Sequence, residues 1–132
     1  MNRTSVITGI ILIVIAIILG AFGAHALKEK LEAPQLNSFD VGVRYQMYHG
    51  LALLALGLSA GQLKFSMKSF NRIIIIGTIA FCLSIYLLAM KDLVGVNLSF
   101  LGPITPIGGS ILIIGWIILL LKIIRSNPKQ TT

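Results

Sequence analysis

Four stretches of the chain, residues 5–27, 39–61, 71–90 and 105–124, carry long runs of Ile, Leu, Val, Ala and Gly with few charges. As a helix, each covers the roughly 30 Å hydrocarbon core of a bilayer, which takes about 20 residues. In lipid every backbone polar group must be satisfied within the chain, so such segments are helical. The pattern predicts an all-α membrane protein: one four-transmembrane-helix up-down bundle occupying residues 1–132 as a single domain. The connections are short, and no Gly/Ser-rich linker or internal repeat marks a second unit.

Composition removes the soluble alternative. The 132 residues are 56% apolar and 11% charged, with a mean hydropathy of +0.94, whereas soluble domains are about 45–50% apolar and roughly 25% charged. Such a chain cannot hide its apolar surface in its own core. "MNR", a long apolar run and Ala24-His25-Ala26 imitate a signal peptide, but the run exceeds the roughly 7–15 residues of a signal core and reads as the first span. The single cysteine, Cys82, excludes an internal disulfide and a cysteine-rich metal site. A net charge of +7 does not signal nucleic acid, because no soluble basic patch interleaved with aromatics accompanies it.

The basic residues instead sort the loops. Arg3 precedes span 1, Lys64, Lys68 and Arg72 lie around the second connection, and Lys122, Arg125 and Lys129 end the chain. The other two connections hold Lys28, Lys30, Arg44 and Lys91, offset by Glu29, Glu32, Asp40 and Asp92. The positive-inside rule then places both termini in the cytoplasm of a cell inner (plasma) membrane, multi-pass.

With that orientation the chemically interesting side chains gather in the outer leaflet: His25, the cluster Arg44, Tyr45, Tyr48 and His49, and the start of span 4. On a wheel advancing about 100° per residue, Arg44, Tyr45, Tyr48 and His49 share one arc, continued by Ala52, Ala55, Leu56 and Ser59. Met47, Leu51, Leu54 and Leu58 lie opposite. Membrane helices pack through small and polar residues, so this arc is expected to face the bundle, with His49 opposite His25. Asn37 or Ser38 is expected to cap span 2, and Thr105 with Pro106 to open span 4. Free amides there, with Arg44 and Lys91, suit an anion or a headgroup phosphate, and Gly102, Gly108 and Gly109 permit close approach. The candidate ligand-binding set is His25, Arg44, Tyr45, Tyr48, His49, Thr105, Gly108 and Gly109.

At "GAFGAHALKEKL", "FDVGVRYQMYHGLALL" and "GPITPIGG" the chain resembles, over essentially its whole length, a family of small membrane proteins catalogued as domain of unknown function 423. The resemblance implies a multi-span protein of a bacterial inner membrane and carries no activity. Its signature positions here are Gly20, Gly23, His25, Tyr45, Gln46, His49, Thr105, Pro106, Gly108 and Gly109.

Plainer readings stand beside these. His25 suits a helix C-terminus at the interface, Tyr45 and Tyr48 suit an aromatic belt, and Cys82 a small apolar space-filler. Gly57 and Gly61 have the GxxxG spacing that draws helices together. "LKEKLEAPQLNSF" reads either as a surface helix with Leu27 and Leu31 inward, stopped before Pro34, or as a plain loop. For function, the leading expectation is a noncatalytic protein, without cofactor or metal, binding a lipid headgroup, small anion or amphiphile in an outer-leaflet polar site. Its expected partners are membrane lipid and either a second copy or another membrane protein, with no nucleic acid. The alternatives are an oligomeric transporter or proton-coupled subunit using His49, and a haem held between His25 and His49. No paired carboxylates, nucleophile with its base or zinc ligand set supports an enzyme.

Overall fold

A computed structural model describes residues 1–126 of the chain, so Lys129 lies outside the described residues. It is built from α1 (Arg3–Phe22), α2 (Ala33–Ser59), α3 (Lys68–Ala89), the short α4 (Lys91–Val94) and α5 (Ile104–Arg125). A five-residue π-helical stretch, Gly23–Leu27, extends α1. Three of these segments, Arg3–Leu27, Lys68–Ala89 and Ser99–Arg125, are long and apolar enough to cross a membrane. α2 has the length, 27 residues, but Asp40, Arg44, Gln46 and His49 lower its apolar content.

The packing accounts for that difference. α2 lies between α1 and α3, α3 packs in turn on α5, and α1 and α3 flank α2 with few close backbone approaches to each other. The outer helices α1 and α5 leave rows of large aliphatics uncovered, such as Ile10, Ile17 and Ile18 on the first and Ile113, Ile117 and Leu120 on the second. In lipid those rows face solvent of their own kind. α2 meets both α1 and α3 and buries Gln46 and His49 between neighbours, while Asp40 and Arg44, nearer its start, are exposed.

Glycines set the register of both antiparallel pairs. A Cβ on Gly9 would lie 2.7 Å from the backbone carbonyl of Gly50, and one on Gly57 would lie 2.8 Å from Ser5. Further along, Gly20 faces Val43 and Gly23 faces the ring of Phe39. Between α3 and α5, a Cβ on Gly108 would lie 2.5 Å from the backbone nitrogen of Phe81. Small residues let backbones approach this closely, and dispersion rather than solvent expulsion then holds them. Gly57 serves such a contact, while Gly61 is exposed, so the GxxxG spacing is not what joins the helices.

Helix ends differ from expectation. α2 begins at Ala33 rather than near Phe39, opened by a capping box in which Glu32 N–H donates to Gln35 Oε1 at 3.0 Å. Asn37 and Ser38 lie inside the helix and cap nothing; the Ser38 hydroxyl donates back to the Pro34 carbonyl. Pro34 sits in the first turn, where a missing N–H costs nothing. The linker before it is a turn rather than a surface helix, with Leu27 and Leu31 buried. Pro103, not Thr105, precedes α5. At one end of the bundle the Asn2 N–H donates to the Gly57 carbonyl at 2.7 Å, and Lys122 Nζ donates to Ser66 O at 2.8 Å and to Ser69 Oγ at 2.7 Å. The start of α1, the end of α2, the start of α3 and the end of α5 therefore share that end.

Candidate functional site

The buried face of α2 runs Phe39, Gly42, Val43, Gln46, His49, Gly50, Leu53 and Gly57. Glycines at 42, 50 and 57 recur every seven or eight residues, close to two helical turns, and select this stripe because only it lets the neighbouring helices come near. Polarity had suggested a face rotated from this one. Arg44, Tyr45 and Tyr48 consequently point outward, and of the expected cluster only His49 turns in.

Gln46 and His49, one turn apart, tie α2 to the other three long helices. Gln46, 5% exposed, donates from Nε2 to the Leu12 carbonyl of α1 at 3.0 Å and accepts at Oε1 from the Tyr86 hydroxyl of α3 at 2.9 Å. His49 Nδ1 lies 2.7 Å from the Tyr45 carbonyl, and its Nε2 lies 3.2 Å from the indole N–H of Trp116 on α5. A carbonyl only accepts and an indole N–H only donates. These partners assign a neutral imidazole with its proton on Nδ1. Trp116 is seated in turn by an edge-on contact with Phe70, centroids 5.4 Å apart.

His25 does not join this network. It sits exposed on the π-helical stretch, two residues beyond Gly23, which faces Phe39. His49 lies ten residues further along α2, about 15 Å deeper at helical rise. The expected His25–His49 pairing is not formed, because the antiparallel register offsets the two residues and His49 is turned toward α5. The arrangement does not fit a bis-imidazole iron site, and among the described residues no group of three or more His, Cys, Asp or Glu is placed to hold a metal.

The other predicted residues have packing roles. The Thr105 hydroxyl pairs with Ser84 Oγ of α3 at 2.8 Å, and Gly108 and Gly109 make room for Phe81. The Tyr45 ring rests on Phe81 at 5.1 Å and meets Tyr48 edge-on at 5.9 Å. Sequence reasoning missed Tyr86, Trp116 and the role of Gln46; the glycine stripe on α2 was the signal that could have found Gln46.

Beyond this satisfied interior, a cleft of about 390 Å³ opens where the start of α2, the end of α3 and the start of α5 meet. Ser38, Lys91, Asp92 and Thr105 give it polar groups, and Ile85 and Leu88 an apolar wall. Gln35 donates to Asp92 across the mouth.

With no strand among its described residues, rows of uncovered aliphatics and a hydrogen-bonded polar seam at Gln46 and His49, the chain is a membrane protein. It belongs to the family described as protein of unknown function (DUF423), which matches residues 19–109. A UPF0382 membrane protein of Staphylococcus saprophyticus is 37% identical over 119 residues, covering 90% of this chain and 95% of the relative. Another from Staphylococcus epidermidis is 36% identical over 123 residues, covering 93% and 97%. One from Staphylococcus aureus is 39% identical over 116 residues, covering 88% and 91%. No solved structure matches the chain.

Proposed function

We propose that this chain crosses a bacterial inner membrane four times, with both termini cytoplasmic, and acts as a noncatalytic accessory protein that holds a lipid headgroup or small amphiphile at its outer end. The cleft lined by Ser38, Lys91 and Thr105 carries this reading. It sets a cation and a carboxylate, Lys91 and Asp92, beside the apolar wall of Ile85 and Leu88, as a molecule with a zwitterionic head and a greasy tail requires.

The charge distribution supports the orientation. Arg3, Lys64, Lys68, Arg72, Lys122 and Arg125 belong to the end shared by the N-terminus and the α2–α3 connection, while all four acidic residues belong to the other. Cysteines placed singly at Ser66 and Asn97 in a Cys82→Ser background test it: an impermeant thiol reagent added outside cells should label position 97 and spare 66. Native mass spectrometry of the detergent-extracted protein with added phosphatidylethanolamine tests the site. Lys91→Gln should lower lipid retention about fivefold, the worth of roughly one cation near a charged headgroup. Unchanged retention would remove the outer cleft from the proposal.

The proton-carrying alternative would require His49 Nε2 to release the Trp116 N–H, which has no acceptor to offer a protonated ring.

A further inference from the structure

We propose that the protein binds an anionic phospholipid of the cytoplasmic leaflet, its phosphate at Lys68, Asn71 and Arg72 and its acyl chain in the groove between α1 and α3. The inference uses the orientation proposed above and goes beyond it, since it concerns the opposite end of the bundle and other residues.

The polar part is a cleft of about 380 Å³ between the starts of α1 and α3. Lys68 and Arg72 stand one turn apart on α3 and line it together with Asn2 and Thr4 of α1, and no described residue lining it is acidic. Asn71 lines the same cleft from the buried side. It is 5% exposed, and its Oδ1 is shielded from solvent without a hydrogen-bond partner. A phosphate oxygen only accepts and so leaves Oδ1 as it is; the part of this amide that can serve a ligand is its donor end. With Oδ1 enclosed, the amide N–H pair is the end that meets a ligand oxygen. Two cations, an amide donor and the Thr4 hydroxyl match a phosphodiester, which presents only acceptors.

The apolar part follows along the same seam. A second cleft of about 230 Å³ lies between α1 and α3 over α2, lined by Leu12, Ile15 and Leu19 on one side and Ile79 and Leu83 on the other. Ile75 and Ile76, which line the headgroup cleft, precede Thr78 and Ile79 of this second cleft by one turn of α3. From Arg72 to Leu83 the helix rises about 16 Å, close to half of the roughly 30 Å hydrocarbon core. One leaflet's acyl chain has that reach. A free anion would use the cations and leave the groove unused; a neutral lipid would use the groove and leave the cations unbalanced. An anionic phospholipid uses both.

The test is lipid retention by the detergent-purified full chain, read by native mass spectrometry with phosphatidylglycerol, phosphatidylcholine or inorganic phosphate as probe. Phosphatidylglycerol should be retained well above phosphatidylcholine, and phosphate should not displace it. Lys68→Gln with Arg72→Gln should weaken phosphatidylglycerol binding about thirtyfold, from the usual worth of two cations at an anionic surface. Arg3→Gln with Lys64→Gln, an equal charge change at the same end, should weaken it far less, because neither side chain lines the cleft. Ile79→Trp fills the groove without touching the cations and should lower retention of phosphatidylglycerol; it carries the test should the cation variant fail to assemble. Lys91→Gln should leave this binding intact, so that loss of the outer site and loss of this one are separable. Equal loss in both cation pairs, equal retention of phosphatidylcholine, displacement by phosphate, or full retention by Ile79→Trp would each overturn the proposal.

Discussion

The seam between α1 and α2 and the seam between α1 and α3 share a helix but are built on opposite terms. In the first, Gly9, Gly50 and Gly57 bring backbones together, and Gln46 and the Asn2 N–H add hydrogen bonds to the carbonyls of Leu12 and Gly57. In the second, Leu12, Ile15, Ile79 and Leu83 line a crevice between the helices. Both seams enclose polar atoms without a partner, Ser5 Oγ beside Gly57 in the first and Asn71 Oδ1 and Thr78 Oγ1 on the α3 side of the second. Lipid gives apolar surfaces no reason to leave it, so helices adhere where small residues allow contact and part where bulky ones do not. A closed seam confers stability, whereas an open one offers a place for something else.

The largest effect should come from forcing the closed seam open. Gly9→Leu drives a side chain into the Gly50 carbonyl and the Leu54 backbone nitrogen, each 2.7 Å from the new Cβ. Backbone cannot yield as a side chain end does, so the loss should reach at least about 3 kcal/mol, the upper range for overpacking. Denaturation by increasing SDS in mixed micelles, followed by circular dichroism, reads it. Gly109→Ala is the control, since its Cβ would meet only the Phe81 ring at 3.5 Å; comparable losses in both would break the comparison.

Gln46→Leu comes next. It removes two interhelical hydrogen bonds and strands the Tyr86 hydroxyl, and should cost about 1–2 kcal/mol, at or above the top of the range for single membrane hydrogen bonds. Tyr86→Phe in that background should add little, because its partner is already gone, and the double-mutant cycle measures the coupling. Purely additive losses would mean that the bond from Tyr86 to Gln46 contributes nothing.

Trp116→Phe should cost less, about 0.5–1 kcal/mol. It gives up one hydrogen bond of 3.2 Å to His49 while keeping an aromatic ring beside Phe70. His49 keeps its bond to the Tyr45 carbonyl. A loss exceeding that of Gln46→Leu would show that α5 is held mainly through the imidazole.

The smallest effect belongs to the open seam. Thr78→Val deletes a hydroxyl that is 1% exposed and bonded to nothing, so stability should change by less than about 0.5 kcal/mol or rise, since an unsatisfied polar group is being removed. If Thr78→Val destabilised as strongly as Gln46→Leu, the two seams would not differ as described.

Much of this architecture was legible in the residues. The runs of Ile, Leu and Val marked α1, α3 and α5, because a helix with one solvent on most of its surface must be apolar almost everywhere. The basic asymmetry grouped the ends that the hydrogen bonds of Asn2 and Lys122 bring together. The start of α2 was misjudged because Pro34 reads as a stop from the side of α1 but as a first-turn residue from the side of α2. His49 was correctly turned inward, yet its partner was misassigned, since a wheel fixes direction around one helix and says nothing of the neighbour's register.

The sequence by itself determined that the chain is helical and belongs in a membrane, since backbone satisfaction and hydropathy are properties of each segment alone. Only the tertiary structure decided which face of α2 is inside, that His49 meets Trp116 instead of His25, and that clefts lie between α1 and α3, one of them at Lys68, Asn71 and Arg72. Those outcomes depend on where glycines on different helices meet. Gly9 and Gly50 come into contact through the relative placement of two helices, and no periodicity within either one encodes it.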